Sequence, residues 1–142
     1  MLFDLQDKEK TVEKTRICAS FMLIGEDFDP NYVTQALKTQ PKFIQKRDSF
    51  LKTGKACGYT AWGLETKLEE SRDAEAQLNK VIAPYFDKVE LLNRLREECG
   101  AEWHVQIVVY TGTDGSPSLG FSKEQLKFLG AIEAEFVDID FY

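Results

Sequence analysis

The sequence predicts an α+β fold, a mainly antiparallel sheet of four to five strands with helices packed on one face. Three observations carry this. The last strand-like segments alternate apolar and polar residues, so one sheet face is covered and the other open. Segments of helical spacing between them carry capping signals. The order reads strand, helix, short candidate strand, strand, helix pair, strand, helix, strand.

Residues 1–14 are polar and weakly patterned, and read as an arm or a short first element. Arg16 to Gly25 (RICASFMLIG) is apolar on both sides, which suits a strand buried on both faces or nearly so. Asp29 is placed as an N-cap and Pro30 as the first helical residue, with Val33, Ala36 and Leu37 turned inward and Pro41 ending the helix. Residues 42–57 read as a long basic loop, with room for a short strand at Phe43–Gln45. Gly58 to Thr66 is a strand, with Thr60, Trp62 and Leu64 on one side and Tyr59, Ala61 and Glu65 on the other. Ser71 opens a helix that Pro84 breaks or kinks, and a second helical run ends at Gly100. Trp103 to Tyr110 is the clearest strand. Ser122 and Gln125 form a capping-box signature before a helix closed by Gly130. Ala134 to Tyr142 alternates as the last strand, with Val137, Ile139 and Phe141 expected to face the core and Phe136, Asp138, Asp140 and Tyr142 outward. Trp62 and Trp103 fall on the covered face and are expected in the core.

A chain of 142 residues fits one domain, residues 1–142, with no internal repeat or linker. Hydrophobic residues are 43% and charged residues 30%, a globular composition. No apolar run approaches the roughly 18 residues of a spanning helix, and acids near the start leave no export signal. A cytoplasmic protein away from membranes is the expectation. Cys18, Cys57 and Cys99, odd in number and widely spaced, are expected as reduced thiols.

The net charge of -6 is unevenly spread. Residues 38–55 carry six Lys and Arg against Asp48 alone, whereas the last eleven residues carry Glu133, Glu135, Asp138 and Asp140 with no base. An acidic body with one basic segment argues against general nucleic-acid binding.

Catalytic and cofactor motifs are missing. Gly112–Gly115 follows a strand, but no Gly-Lys-Ser/Thr follows it, so Asp114–Gly115 reads as a turn. The one histidine, His104, lies near Cys99 without a legible orienting partner. Cys57, Cys99 and His104 lack the close cysteine pairs of structural zinc sites. No cofactor, metal ligand or catalytic residue is assigned. Asp138 and Asp140 share a strand face and read either as a solvated acidic edge or, with His104, as the basis of a small-ligand or metal-dependent enzyme.

The most informative pattern is collective. If the strands share one sheet, its open face carries Tyr59, His104, Gln106, Tyr110, Asp138, Asp140 and Tyr142, with Lys46 and Arg47 nearby in the basic loop. Tyrosines beside polar groups suit a protein interface. The alternative is that residues 1–14 or 42–57 fold over this face. Aromatics on an open sheet also suit RNA stacking, but Asp138 and Asp140 would repel phosphates.

Ala19-Ser-Phe21, Gly25-Glu-Asp-Phe28-Asp-Pro30, Trp62-Gly-Leu64-Glu, Pro117-Ser-Leu119, Leu129-Gly130 and Asp138-Ile-Asp140-Phe-Tyr142, in this order, resemble a bacterial family of uncharacterised proteins, domain-of-unknown-function family 4279. The resemblance spans about residues 16–142. Lys38-Thr-Gln-Pro41-Lys42 departs from the Gly-Ile-x-Pro-Thr type segment expected there. The resemblance implies a fold and a bacterial source but no reaction and no catalytic residues. Members look like small partner-binding proteins of the kind found beside bacterial toxin or phage-defence genes. The functional expectation is a non-enzymatic protein-binding domain, immunity- or antitoxin-like, that uses the open sheet face; the alternative is the enzyme built on His104 with Asp138 and Asp140.

Overall fold

In the computed structural model, residues 13–50 and 53–142 are described. The expected arm therefore falls, over residues 1–12, outside the described residues, as do Leu51 and Lys52 of the basic segment. The elements are β1 (Arg16–Gly25), α1 (Pro30–Leu37), β2 (Phe43–Gln45), β3 (Thr60–Glu65), β4 (Glu69–Glu70), α2 (Ala74–Ile82), a 3₁₀ turn (Ala83–Tyr85), α3 (Val89–Cys99), β5 (Ala101–Tyr110), α4 (Lys123–Ala131) and β6 (Phe136–Phe141).

The strands form one sheet in the order β2-β3-β1-β5-β6, with β4 also on β1. β1 is central, antiparallel to β3, β4 and β5. β6 runs parallel to β5. The sheet is thus mixed and mostly antiparallel, with six strands rather than four to five. The extra strand arises because the chain leaves β1 after Glu65 and pairs with it again at Glu69, opposite Ile17. The parallel pair follows from α4, which lies between β5 and β6 in the chain and makes the crossover that parallel neighbours need.

Alternation decides which side each residue faces. Ile17, Ala19, Phe21 and Leu23 of β1, Trp62 of β3 and Trp103, Val105, Ile107 and Val109 of β5 are fully or almost fully buried. They form one cluster with Val33 and Leu37 of α1, Leu78 and Ile82 of α2, Leu92 and Leu95 of α3, and Phe128 and Leu129 of α4. All four helices therefore cover the same face, as expected. β1 is nearly buried on both sides: on its other face Ser20 is buried, whereas Cys18, Met22 and Ile24 are half-buried.

The Asp29 side chain accepts from the Asn31 N–H at 3.0 Å, with Pro30 in the first turn. The helix stops before Pro41 can act, because Lys38 turns left-handed at φ 54°. α2 is capped by Asp73 rather than Ser71, its carboxylate accepting from the Ala76 N–H at 3.2 Å. Pro84 does break the helical run, into the 3₁₀ turn, and Gly100 caps α3 at φ 59°. α4 continues one residue past Gly130, to Ala131.

The capping box of α4 also joins two helices. Ser122 and Gln125 exchange side chain-to-backbone bonds of 3.1 Å in both directions. The amide nitrogen of Gln125, fully buried, then donates to the Glu75 carbonyl at 2.9 Å and to Asn79 Oδ1 at 2.8 Å on α2. Gln125→Leu keeps the volume but strands these groups. It should lower unfolding free energy by about 1–3 kcal/mol, read as a lower urea midpoint at unchanged m-value. A midpoint equal to wild type would mean that the α2–α4 bonds contribute nothing net.

Candidate functional site

The open face is built by the register of β1, β5 and β6. Arg16, Cys18, Ser20 and Met22 lie opposite Tyr110, Val108, Gln106 and His104. Phe136 and Asp138 lie beside His104 and Gln106, and Asp140 beside Val108. The predicted residues His104, Gln106, Tyr110, Asp138, Asp140 and Tyr142 therefore do fall on one side of the sheet, at three stations along it.

At one end the Tyr110 and Tyr142 rings stack with centroids 5.4 Å apart. The Arg16 guanidinium carbon lies 5.2 Å from the Tyr110 ring centre, within cation–π range. The Tyr142 backbone is held by bonds from its N–H to Val109 O at 2.8 Å and from the Thr111 N–H to its carbonyl at 3.0 Å. A concavity of about 470 Å³ opens here among Glu13, Lys14, Arg16, Glu70, Tyr110 and Tyr142. In the middle, the Gln106 amide donates to Asp140 Oδ2 at 2.7 Å, while Asp138 is exposed. At the other end His104, 17% exposed, lies 3.7 Å from Glu135 and packs on the Phe136 ring at 5.2 Å. The imidazole and the Asp140 carboxylate are thus held by different partners.

Tyr59, Lys46 and Arg47 do not join this group. β3 starts opposite Gly25, whereas Tyr110 lies opposite Arg16 at the far end of the ten-residue β1. Tyr59 is thus roughly 30 Å along the sheet from the tyrosine stack. Burial, and then the neighbouring Cys57, push its hydroxyl pKa up. Lys46 and Arg47 line a separate concavity of about 430 Å³ with Asp27, Phe28, Asp29 and Pro30, where Arg47 pairs with Glu26 at 3.2 Å. Residues 42–57 are also not one open loop. β2 pairs with β3, and Phe50 and Ala56 bridge. Phe43, opposite Gly63, closes the β3 end of the open face: a Cβ on Gly63 would sit 2.0 Å from the Phe43 ring.

Nucleophilic chemistry at Cys18 and Cys99 is disfavoured by their surroundings. The three are free. Burial first, and then Glu65, push the Cys18 thiol up; burial, Glu98 and Asp29 push Cys99 up. A nucleophile needs the opposite shift. Among the described residues, no three His, Cys, Asp or Glu side chains gather as a metal site, and no helix is long and apolar enough to cross a membrane.

Two groups of residues escaped sequence reasoning. Arg16 begins a strand read as apolar throughout, and only its register against β5 places it on Tyr110. Val137 and Phe141 are 41% and 56% exposed, because β6 is an edge strand. Val137 and Phe141 were expected to face the core; they lie on the helix side, but at the sheet's rim. Position at the end of the chain order was the available signal.

No curated protein and no solved structure matches the chain. The sequence model of the domain of unknown function DUF4279 matches residues 13–142, nearly the whole chain, so the protein belongs to that family.

Proposed function

We propose that the chain is a non-enzymatic protein-binding domain that engages a partner through the open face of β1, β5 and β6, in an immunity- or antitoxin-like role. The observation that carries this is the Arg16–Tyr110–Tyr142 stack, with the two tyrosines 37% and 70% exposed. Rigid aromatic rings and an arginine are the residues that dominate binding energy at interfaces, because they bury much area at little entropic cost. The net charge of -6 favours a basic partner and would speed its approach. Separate tethering of His104 and Asp140 supports binding over a shared catalytic role for them.

The double substitution Tyr110→Ala with Asp140→Asn tests this reading. Affinity capture from the source cell, quantified by mass spectrometry against wild type, should lose at least about tenfold of the specifically recovered partner, equivalent to about 1.4 kcal/mol. The melting temperature should stay within about 4 °C, since both residues lie at the surface. Lys127→Glu on the exposed side of α4 serves as the control and should retain capture. Undiminished capture by the double variant would remove this face as the binding site.

A further inference from the structure

We infer that β6 accepts an added strand, an extended partner segment that alternates Lys or Arg with aliphatic residues. The inference rests on the protein-binding reading and names the partner's chemistry.

β6 ends the strand order, so among the described residues its outer edge has no strand partner. The Glu135 N–H donates inward to the Trp103 carbonyl at 2.9 Å. Alternation along the strand then aims the N–H groups of Phe136, Asp138 and Asp140 outward. Such edges are usually blunted by charged side chains, lysine above all, or by proline, a bulge or shortness. β6 has six residues, none of them lysine or proline. Its only charged residues are Asp138 and Asp140.

An added strand would place alternate side chains on the two faces of the sheet. On the open face they would meet Asp138 and Asp140, which set its charge, and then the concavity beside Tyr110 and Tyr142, where Glu13 and Glu70 are balanced by Lys14 and Arg16. On the helix side they would meet Val137 and Phe141, and a second concavity of about 460 Å³ among Phe141, Pro117 and Leu119. Basic residues suit the first side and aliphatic residues the second. Residues 132–142 hold four acids and no Lys or Arg, so the complement is cationic. A second copy of β6 fits badly. Antiparallel overlap centred on Ile139, which keeps both open faces on the same side, would set Asp138 against Asp140 of the copy, and like charges directly opposite destabilise a sheet.

The probe is a blocked peptide, Lys-Val-Lys-Ile-Lys-Val-Lys, against the same composition in block order, Lys-Lys-Lys-Lys-Val-Ile-Val. The alternating peptide should bind at least about tenfold tighter. It should slow amide exchange at Phe136, Asp138 and Asp140, and Asp138→Lys should weaken it by about tenfold or more. Equal affinity for the two peptides, protection gained elsewhere, or no binding by about 1 mM would overturn the inference. So would a solution dimer that Asp138→Pro, which removes an outward-facing N–H of the edge, dissolves. If the peptide fails while Tyr110→Ala with Asp140→Asn still loses its captured partner, strand addition falls and the open-face reading stands. If that double variant keeps its partner, the open-face reading falls as well.

Discussion

Trp103→Ala is expected to destabilise the fold by about 3–5 kcal/mol, a large share of the stability of a domain this size. Trp103 is fully buried in the middle of the core. Its ring stacks on Phe21 with centroids 4.6 Å apart and planes 19° from parallel. Phe21 in turn meets Tyr85 and Phe128, at 6.2 and 6.1 Å, so the pair joins β1 and β5 to the 3₁₀ turn and α4. The indole N–H donates to the Leu92 carbonyl of α3 at 3.0 Å. Alanine removes the ring, its stacking partner and this bond together, and rigid neighbours cannot close the gap. Trp103→Phe keeps an aromatic on Phe21 and should cost about half as much, through the lost N–H and a smaller cavity. Urea denaturation of the two variants gives both numbers. A loss under about 1 kcal/mol in Trp103→Ala would mean that the core relaxes around the site.

Trp103 was legible in the sequence for the same reason that it matters. Strict alternation from Trp103 to Val109 assigns each residue of β5 a face, and the neighbouring strands only had to supply the partners. The capping box of Ser122 and Gln125 was legible because it is local. Direction and register were not. Alternation is identical for parallel and antiparallel neighbours, so the β5–β6 pairing left no mark, and a two-residue strand such as Glu69–Glu70 has no period to detect. The candidate site divides along the same line. Parity alone put His104, Gln106, Tyr110, Asp138, Asp140 and Tyr142 on one face. Register then separated them into three stations, sent Tyr59 to the opposite end and brought Arg16 onto Tyr110. Asp114 was read only as a turn residue, because its partner Thr15 lies far away in the chain.

That pair supplies the second large effect, at the segment leading from β5 towards α4. Residues 13–15 run beside residues 112–114. The Thr113 N–H donates to Glu13 O at 2.8 Å, and the Glu13 N–H to Thr113 Oγ1 at 3.1 Å. The fully buried Thr15 hydroxyl donates to Asp114 Oδ1 at 2.7 Å and accepts from the Gly112 N–H at 3.1 Å. Arg72 reaches across to the carbonyls of Asp114 and Ser116. The two segments approach so closely that a Cβ on Gly112 would lie 2.2 Å from the Glu13 carbonyl oxygen and 2.6 Å from the Thr15 nitrogen. Both are backbone atoms, so no side-chain rotation relieves the clash. Gly112→Ala should therefore cost about 3 kcal/mol, the upper part of the range for overpacking. Thr15→Val, of equal volume, should cost about 1–3 kcal/mol by leaving the Gly112 N–H unpaired.

Acid separates the hydroxyl's contribution from simple packing. The Thr15 hydroxyl, followed by the Thr15 and Asp114 backbone N–H groups and by Arg72, holds the Asp114 carboxyl below its ordinary value of 3.8. A carboxyl with a lower pKa in the folded state contributes its full stabilisation above the unfolded value and loses it as pH falls through the folded one. The stability gap between wild type and Thr15→Val should stay constant from neutral pH down to about 4 and narrow below that. Gly112→Ala separates the two segments and should show the same narrowing on top of a pH-independent loss. Glu69, held down by Lys80 and Gln77, destabilises all three proteins alike in acid and leaves the differences intact. A Thr15→Val gap that keeps its full size well below pH 3.8 would mean that the hydroxyl acts through packing alone.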